Sequence, residues 1–479
     1  MSFKPSCYLI PLLLAGCTVG PDYVRPEQPL PTAYKELRNA DGSQWKTAEP
    51  RDHLPRGPWW TAFGDPLLDQ FEEGIASANL NLQVAEAQYR QAEAVARSTR
   101  AAWLPTLSGT VTETRNRTVS STTTNSSGVP VTTANGIRTN RNLSFNASWE
   151  ADVWGRIERS VEAGDAGLAA SAADLENVRL SLQATLAQNY LLLRVTDEQQ
   201  RLYDATVAAY RQSLAMVQSQ KAAGVVSQAE VMQATTQLKT AEAQGIDLGV
   251  QRAQLEHAIA LLLGKAPAEF SIPVASSPAS ASLKLPNIPV GLPSELLERR
   301  PDIAAAERRA AAANAQIGVA KAAFFPALTL SASTGFQSSS LTNWFTLPNR
   351  VWAIGPSLAA TLFDGGKRSA ATDQASAGFD ASAATYRQTI LGGLQEVEDN
   401  LASLRILEEE AKVQAEAVEA ARQSVKLTTL QYQAGTVSYL NVITVQTTAL
   451  NNERTAATLF GRQLTASVGL VKALGGGWQ

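Results

Sequence analysis

The stretch "FDGGKRS" at Phe363–Ser369 combines two glycines with a lysine, the residue types that hold a phosphate group in a nucleotide-binding loop. Such a loop also needs a glycine five residues before Gly366, where this chain has Thr361. Arg368 follows the lysine, so no hydroxyl is available for a magnesium ion. The pattern therefore predicts a strand-to-helix turn and argues against a nucleotide site.

Other candidates for catalysis are equally sparse. His53 and His257 lie far apart in the sequence, and neither stands beside a cysteine or carboxylate at metal-ligand spacing. No nucleophile–base arrangement is recognisable. We therefore expect no metal site, no cofactor and no enzymatic activity.

Cys17 is the residue best placed for a covalent modification. It follows Leu14-Ala15-Gly16, at the end of the apolar run Tyr8–Ala15, and Lys4 supplies a positive charge before that run. This is the pattern of a bacterial signal peptide whose cysteine is acylated after cleavage. Residues 1–16 are then removed, and Thr18, where an aspartate would favour the inner membrane, favours the outer membrane. An ordinary signal peptide with an incidental cysteine is the alternative.

The composition is that of a folded protein without a nucleic-acid footprint. Charged residues make up 18% and hydrophobic residues 44% of the chain, and the 41 basic residues are matched by 44 acidic ones. Abundant alanine, with only 3 Met and 2 His, favours long and closely packed helices over a metal-rich site.

The chain contains two copies of one pattern. The stretch "AGVVSQAEVMQA" at Ala223–Ala234 returns as "AGTVSYLNVITV" at Ala434–Val445, with five of twelve positions identical. We predict an N-terminal extension over residues 17–65, a first repeat over 66–264, a Pro-rich extended connector over 265–293 and a second repeat over 294–479.

Within each copy a helix comes first, at about Pro66–Ala102 and Ser294–Ala323. Two strand-like segments follow in each copy. The clearest is Asn142–Val153, in which apolar and polar residues alternate. The others are Ala327–Phe336, Val351–Phe363 and the weaker Leu107–Glu113, and the Ser/Thr/Asn-rich run between the first pair reads as a solvated loop.

Tryptophans in or beside these segments favour strands that cross a membrane, and a soluble sheet with one wet face is the alternative. Every strand edge in hydrocarbon must be paired, so four strands cannot cross a membrane alone. Bacterial barrels begin at about eight strands. If the strands span the membrane, several chains must share one barrel.

Two proline-free stretches, Arg156–Ala222 and Lys367–Gln433, are each predicted as one helix of roughly 100 Å. In the second, Ile390, Leu394 and Val397 begin a period of 3.5 residues, which indicates supercoiled side-by-side packing.

Taken in order, these motifs identify a family. The chain resembles the outer-membrane factors of the TolC/OprM type, the lipid-anchored exit ducts of bacterial tripartite efflux pumps. The resemblance covers essentially the whole mature chain. It is carried by "CTVGPDYVRP", "WWTAFGDPLLDQ", the strand exits "DVWGR" and "LFDGGKR", the turns "AGVVS" and "AGTVSYLNV", and the terminal "ALGGGW".

The resemblance implies an internally duplicated α+β membrane protein. Long antiparallel helical hairpins would form a periplasmic α-barrel continuous with a transmembrane β-barrel of four strands per chain, twelve per homotrimer. The implied partners are outer-membrane lipids, a periplasmic adaptor (membrane fusion protein) and an inner-membrane transporter of the RND or MFS type. The implied function is passive conduction of drugs or other toxic small molecules to the outside.

The resemblance also implies that both repeated turns lie at the periplasmic tip, where the adaptor docks. Gly224 and Gly435 would supply the positive φ that a tight reversal needs. The docking residues would be Ala223, Gly224, Val225 and Ser227 in the first turn and Ala434, Gly435, Thr436 and Ser438 in the second.

In the family the hairpin after the second turn forms the closed gate. Asn441 and Thr444 are uncharged here, where carboxylates are common, which argues against a salt-bridged lock. We therefore predict that Tyr439 and Leu440 form the main constriction, with Asn441 contributing hydrogen bonds. The alternative is that Tyr439 packs between helices.

Other functions fit parts of this pattern. An exit duct for type I protein secretion, or for metal efflux, belongs to the same class of protein. A pore-less, lipid-anchored coiled-coil scaffold is a more distant alternative, against which the alternating strands and their tryptophans argue.

Overall fold

The computed structural model describes residues 18–31, 33–36, 57–118, 121–133, 136–275, 277–288 and 299–476. It divides into two compact units. The sheet unit draws on Met1–Arg25, Gln91–Ala169 and Arg308–Ala384, and the helical unit on Pro26–Arg90, Ala170–Glu307 and Thr385–Gln479. The predicted α+β class is confirmed, because most described residues are helical and the main sheet has four strands.

The helices repeat as the sequence repeats. They are α1 (Pro66–Ala78), α2 (Leu80–Arg100), α3 (Arg156–Ala222), α4 (Gln228–Leu262), α5 (Ala279–Ser282), α6 (Pro301–Ala322), α7 (Lys367–Gln433) and α8 (Tyr439–Ala473). Helices α3 and α7 each have 67 residues, and α4 and α8 each have 35. The two predicted long helices are confirmed to the residue, and the duplication extends to the hairpin partner of each.

One stretch predicted as a single helix forms two helices in the structure. The expected Pro66–Ala102 helix is interrupted at Asn79, whose backbone is extended. The Asn79 side chain accepts a hydrogen bond from the Leu82 amide at 3.0 Å and donates one to the Leu262 carbonyl at 2.7 Å. Asn79 thus begins α2 as its N-cap while tying it to the end of α4.

The strands are β1 (Thr106–Thr118), β2 (Ser121–Thr124), β3 (Pro130–Thr133), β4 (Gly136–Ala151), β5 (Ala327–Ser338) and β6 (Arg350–Ala359). The main sheet is antiparallel throughout, in the order β1-β4-β5-β6. All four predicted strands are therefore confirmed. The predicted extension of β6 to Phe363 is wrong, because Ala359 already pairs with Ala327, the first residue of β5.

The Ser/Thr/Asn-rich stretch is also more ordered than expected. It contains the β2–β3 hairpin, so the expectation of a plain loop is wrong there. The β-branched threonines favour strands. The turn is held by Asn125, whose side-chain oxygen accepts hydrogen bonds from the amides of Ser127 at 3.1 Å and Val129 at 2.9 Å.

The main sheet leaves an apolar face uncovered. Large apolar side chains of all four strands are exposed, among them Leu107 at 76%, Phe145 at 47%, Leu330 at 42% and Trp352 at 69%. Exposed apolar surface of this extent is unfavourable in water and favourable in hydrocarbon. The alternation seen in the sequence thus becomes one apolar face. Separately, no helix in the described ranges has the length and hydropathy of a membrane-spanning segment.

The helical unit buries the largest hydrophobic cluster. Phe63, Leu68, Ile75 and Tyr190 are fully buried there, with residues of α4, α7 and α8 around them. Burying a side chain of this size contributes about 1.5–3 kcal/mol. The short N-terminal segment around α1 is thus part of the same core as the long hairpins.

The described part of the Pro-rich connector follows α4 and lies on this core, with Ile272, Ala279 and Leu283 buried. Helix carboxylates hold its backbone: Asp197 accepts from the Ala275 amide at 3.3 Å, Glu198 from the Ala279 amide at 2.8 Å, and Glu256 from the Ile272 amide. Charge-assisted bonds of this kind fix an otherwise irregular segment.

Glu72 is a carboxyl group buried in the helical unit, with 1% of its surface exposed. Neither of its oxygens has a hydrogen bond of normal geometry from a described residue, although the Ala187 backbone lies nearby. Burial raises the pKa of Glu72 from 4.5 to about 9; the nearby Ala187 backbone opposes this rise, and the Asp69 carboxylate adds to it. Glu72 is therefore protonated in the folded protein at neutral pH, whereas in the unfolded chain it is ionised.

We expect Glu72→Gln to remove a pH-dependent loss of stability. Folded Glu72 binds its proton more tightly than the unfolded chain does. The contribution of this proton to the free energy of unfolding is therefore complete below pH 4.5. It is lost as pH rises towards 9, at up to about 1.4 kcal/mol per pH unit. Glutamine keeps the shape and stays neutral. Thermal unfolding in detergent should give the variant a higher Tm than wild type at about pH 8.5 and a similar Tm at about pH 4.

The matched control is Glu73→Gln, which neutralises the exposed carboxylate next along α1. The difference in Tm between this control and wild type should be the same at about pH 4 and at about pH 8.5. A difference between wild type and Glu72→Gln that is the same at both pH values would contradict the assignment of a raised pKa.

Candidate functional site

The predicted lipidation residue, Cys17, lies outside the described residues. The segment directly after it, Thr18–Asp22, is held firmly within the sheet unit. The Val19 amide donates to the Trp154 carbonyl at 3.1 Å, and the Asn314 side chain donates to the Pro21 carbonyl at 2.9 Å. The residue after Cys17 is therefore positioned beside the exit of β4 into α3.

Close backbone contact fixes this segment. Gly20 has a φ of +116°, and a Cβ there would lie 2.5 Å from the Gly318 Cα, so only glycine fits. Asp22 forms a 2.8 Å ion pair with Arg159, whose side chain is 6% exposed and also bonds Glu162 at 2.8 Å.

The two repeated turns have the same backbone. Gly224 and Gly435 both have a φ of +74°, which confirms the predicted left-handed conformation. At the end of α3 the Val225 amide donates to the Gln220 carbonyl, and at the end of α7 the Thr436 amide donates to the Gln431 carbonyl. Each helix thus ends in the glycine C-cap known as the Schellman motif.

The predicted docking residues are all exposed. This holds for Ala223, Gly224, Val225 and Ser227 in the first turn and for Ala434, Gly435, Thr436 and Ser438 in the second. Val225 is 72% exposed, although it is apolar. Both turns thus present small or apolar groups and free backbone, a surface to which another protein can bind.

The predicted gate residues divide into two groups. Tyr439 is buried, at 2% exposure, in a cluster with Val217, Val231 and Tyr432, so its ring packs between helices. This is the placement that the alternative interpretation describes. Leu440 is 53% exposed.

The other two gate residues face solvent. Asn441 and Thr444 are exposed, and the Thr444 hydroxyl donates to the Leu440 carbonyl at 2.9 Å. The exposed group is therefore Leu440, Asn441 and Thr444, on the first turn and a half of α8.

Tyr432 is a residue of the tip, in contact with both hairpins, that the sequence reasoning missed. Its hydroxyl donates to the Gln220 side chain, and its ring lies 5.5 Å from that of Tyr439. Further along, the Gln237 amide donates to the Thr447 hydroxyl at 2.7 Å. The Tyr432–Gln220 and Gln237–Thr447 bonds join the α3–α4 hairpin to the α7–α8 hairpin. The signal was that Tyr432 stands where the first copy has a lysine, Lys221.

Both tyrosines stay neutral at the tip. Burial raises the pKa of the Tyr432 hydroxyl, and the Glu230 carboxylate raises it further. Burial also raises the pKa of Tyr439. Since neither ionises at physiological pH, the Tyr432–Gln220 contact is a hydrogen bond that a neutral phenol donates to the Gln220 side-chain oxygen. In the part of the chain that the structure describes, no group of three or more His, Cys, Asp and Glu could hold a metal ion.

Comparisons with known proteins agree on the class of this fold. The profile of the family described as "Outer membrane efflux protein" matches residues 75–265 and 292–476. The solvent efflux pump outer membrane protein SrpC of Pseudomonas putida is 32% identical over 100% of this chain and 99% of its own. The pyoverdine export outer membrane protein OpmQ of Pseudomonas aeruginosa is 34% identical over 91% of both chains.

Solved structures give the same answer. The outer-membrane channel OprN is similar with a TM-score of 0.84 and 30% identity, over 96% of this chain and 100% of OprN. CusC gives a TM-score of 0.84 at 27% identity, over 96% of this chain and 100% of CusC.

We expect Tyr432→Phe to loosen the second hairpin tip. The change removes one hydroxyl and leaves the Gln220 side chain without its partner, at a cost of about 1 kcal/mol. Hydrogen exchange of the amides around Gly435 should then accelerate, by roughly fivefold where local opening limits exchange.

The matched control is Tyr203→Phe. It removes the hydroxyl that donates to Gln244 of α4 at 2.9 Å, at a level of the hairpins well away from the tip, where the Tyr203 ring also contacts Arg454 of α8. Exchange around Gly435 should stay at the wild-type rate in this variant. Equal acceleration in both variants would contradict a specific role of Tyr432 between the hairpins.

Proposed function

The chain belongs to the outer membrane efflux protein family, and on that premise we propose that three copies form one duct. The protein is an outer-membrane exit duct of an efflux pump, as its relatives are. In the proposed homotrimer each copy gives four strands to a shared twelve-stranded barrel and two long hairpins to a periplasmic tunnel.

The strand edges of the sheet support this assembly. Within the described residues β1 and β6 each pair on one side only. Lipid offers no partner for the free amides and carbonyls of these edges. Pairing β6 of one copy with β1 of the next satisfies every edge, and three copies give a number of strands known for closed barrels.

The tips support the proposed partners. A periplasmic adaptor would dock on the exposed turns around Gly224 and Gly435, and an inner-membrane transporter of the RND or MFS type would supply the energy. The cargo would be drugs, solvents or other small toxic molecules. Type I protein secretion and metal efflux are the alternative cargo classes within the same architecture.

We further propose that Leu440, Asn441 and Thr444 form the periplasmic constriction and that Tyr439 supports it. The three exposed residues follow the second turn directly, and Leu440 is the large apolar side chain among them. A ring of apolar side chains resists wetting and so closes a narrow pore. Tyr439, in one buried cluster with Val217 and Val231 of the first hairpin, would hold this part of α8 against that hairpin.

Acylation of Cys17 is the last part of the proposal. The docked segment Thr18–Asp22 leaves no free chain between Cys17 and the strand exit at Trp154. A lipid on Cys17 would then enter the membrane where the strands leave it.

We expect Cys17→Ser to abolish both processing and acylation. Intact-mass measurement of membrane-extracted wild type should show a chain that begins at residue 17 with acyl groups added, whereas the variant should keep residues 1–16. A wild-type protein without acyl mass would contradict this part of the proposal and leave the duct itself untouched.

Planar-bilayer recording tests the duct and its constriction together. Purified wild type should insert and give a small, stable conductance, since Leu440 keeps the tip narrow. Leu440→Ala should raise the single-channel conductance by about twofold or more, because a methyl group resists wetting less.

The matched control is Val225→Ala, which shortens an exposed apolar side chain at the other turn and should leave conductance unchanged. Absence of current from every variant would overturn the duct. Current that Leu440→Ala does not alter would overturn the constriction alone.

A further inference from the structure

Helix α8 carries an exposed stripe of uncharged polar residues. It begins at the proposed constriction and recurs every three or four residues, the spacing of one helix face. Its members are Asn441, Thr444, Thr448, Asn451, Thr455 and Thr458, all exposed, and the next residue on this face is Arg462. The stripe covers about 30 Å of helix with no charge before Arg462.

The hydroxyls of this stripe are already satisfied. Thr444, Thr448, Thr455 and Thr458 each donate a hydrogen bond to the carbonyl four residues earlier, all at 2.9 Å. The threonines of the stripe therefore present methyl groups and hydroxyl lone pairs, and the side-chain amides of Asn441 and Asn451 supply its donors. A surface without fixed charge offers no counter-ion to a charged molecule, whereas it can form hydrogen bonds and apolar contacts with an uncharged one.

The stripe ends at a cavity inside the helical unit. The cavity has a volume of about 430 Å³ and lies between α3, α4, α7 and α8. Thr458, the last residue of the stripe, and Arg462, the next residue on the same face, both line the wall of the cavity. The cavity therefore opens on the same face of α8 as the stripe.

Beside the cavity, two glycines of α8 let the neighbouring helices α3 and α7 pack closely against α8. A Cβ on Gly461 would lie 3.2 Å from the Val195 side chain, and one on Gly469 would lie 2.4 Å from the Asn400 side-chain oxygen. Both glycines also line the cavity. They allow α3 and α7 to contact α8 closely while space remains beside Thr465 and Ala466.

The wall is mixed in polarity and nearly free of charge. Leu192, Val195 and Leu407 supply apolar surface, and Gln188 and Gln251 supply amides that both donate and accept. Of the described residues that line the cavity, Arg462 alone is charged, and it lies 3.8 Å from the Glu410 carboxylate. The volume is in the range of small-molecule sites.

From this we infer that the cavity is a binding site for uncharged amphiphilic small molecules that travel along the stripe. The inference rests on the proposed duct, because it takes the face that carries Leu440, Asn441 and Thr444 to be the face turned to the pore. An apolar body would contact the leucines and valine, and one polar group would bond an amide. A charged molecule would lose hydration without gaining a free counter-ion.

The experiment uses the full-length acylated protein in lipid nanodiscs. The probe is phenylnaphthylamine, an uncharged aromatic amine whose fluorescence rises in apolar surroundings. Its matched counterpart is anilinonaphthalene sulfonate, which has the same rings and a negative charge. Wild type should show saturable binding of the uncharged probe above the signal of empty nanodiscs, and weaker saturable binding of the anion.

Two variants fill the cavity independently, Ser403→Phe from α7 and Ala466→Phe from α8. Each should weaken saturable binding of the uncharged probe by about tenfold or more. The control, Ala420→Phe, places the same side chain at an exposed position of α7 outside the cavity wall and should bind as wild type does.

Equal saturable binding by wild type and by both filled variants would overturn the inference, as would equal affinity for the two probes. Conductance of the same nanodisc-purified wild type in planar bilayers separates the two proposals. Current without saturable binding rejects the cavity site alone, whereas absence of current rejects the duct on which the inference rests.

Discussion

Unpaired backbone at a strand edge is the constraint on which this structure depends. The sheet ends at β1 on one side and β6 on the other, and both edges belong to a protein of the outer membrane. Hydrocarbon cannot replace water as a partner for these groups, so the edges must meet other strands. The exposed apolar face, the duplicated chain and the paired hairpins are all consistent with a wall segment whose sides are completed by further copies.

Duplication explains why the two hairpins match in backbone and differ in side chains. Both turns use a glycine at the same positive φ and the same C-cap. At equivalent positions, however, Lys221 faces solvent whereas Tyr432 is buried against the other hairpin. The tip of α7 is thus tied to its neighbour through side chains that the tip of α3 does not possess, and a conformational change of one hairpin would act on these contacts first.

Regular elements could be predicted from the sequence, and contacts between distant segments could not. Period, proline and glycine are local signals, so the bounds of α3 and α7 followed from them. The break at Asn79 depends on the Leu262 carbonyl, 183 residues away. The hydrogen bond of Tyr432 between the hairpins depends on Gln220, 212 residues away. The position of Tyr439 directly after the turn suggested a place in the constriction. Only its packing against residues of other helices shows that the ring is buried.

The same comparison bears on the path of the cargo. Helices α4 and α8 have equal length and equal starts relative to their turns, so residues can be compared position by position. Where α4 carries the carboxylates Glu230 and Asp247, α8 carries Asn441 and Thr458. The two helices have the same backbone conformation at these positions, so folding of the hairpin does not require the difference in side chains. At these two positions the carboxylates are absent from α8, the helix that begins with the proposed constriction. Under the proposed constriction, this face of α8 is the pore wall, and a wall without fixed charge there would let uncharged molecules pass without strong binding.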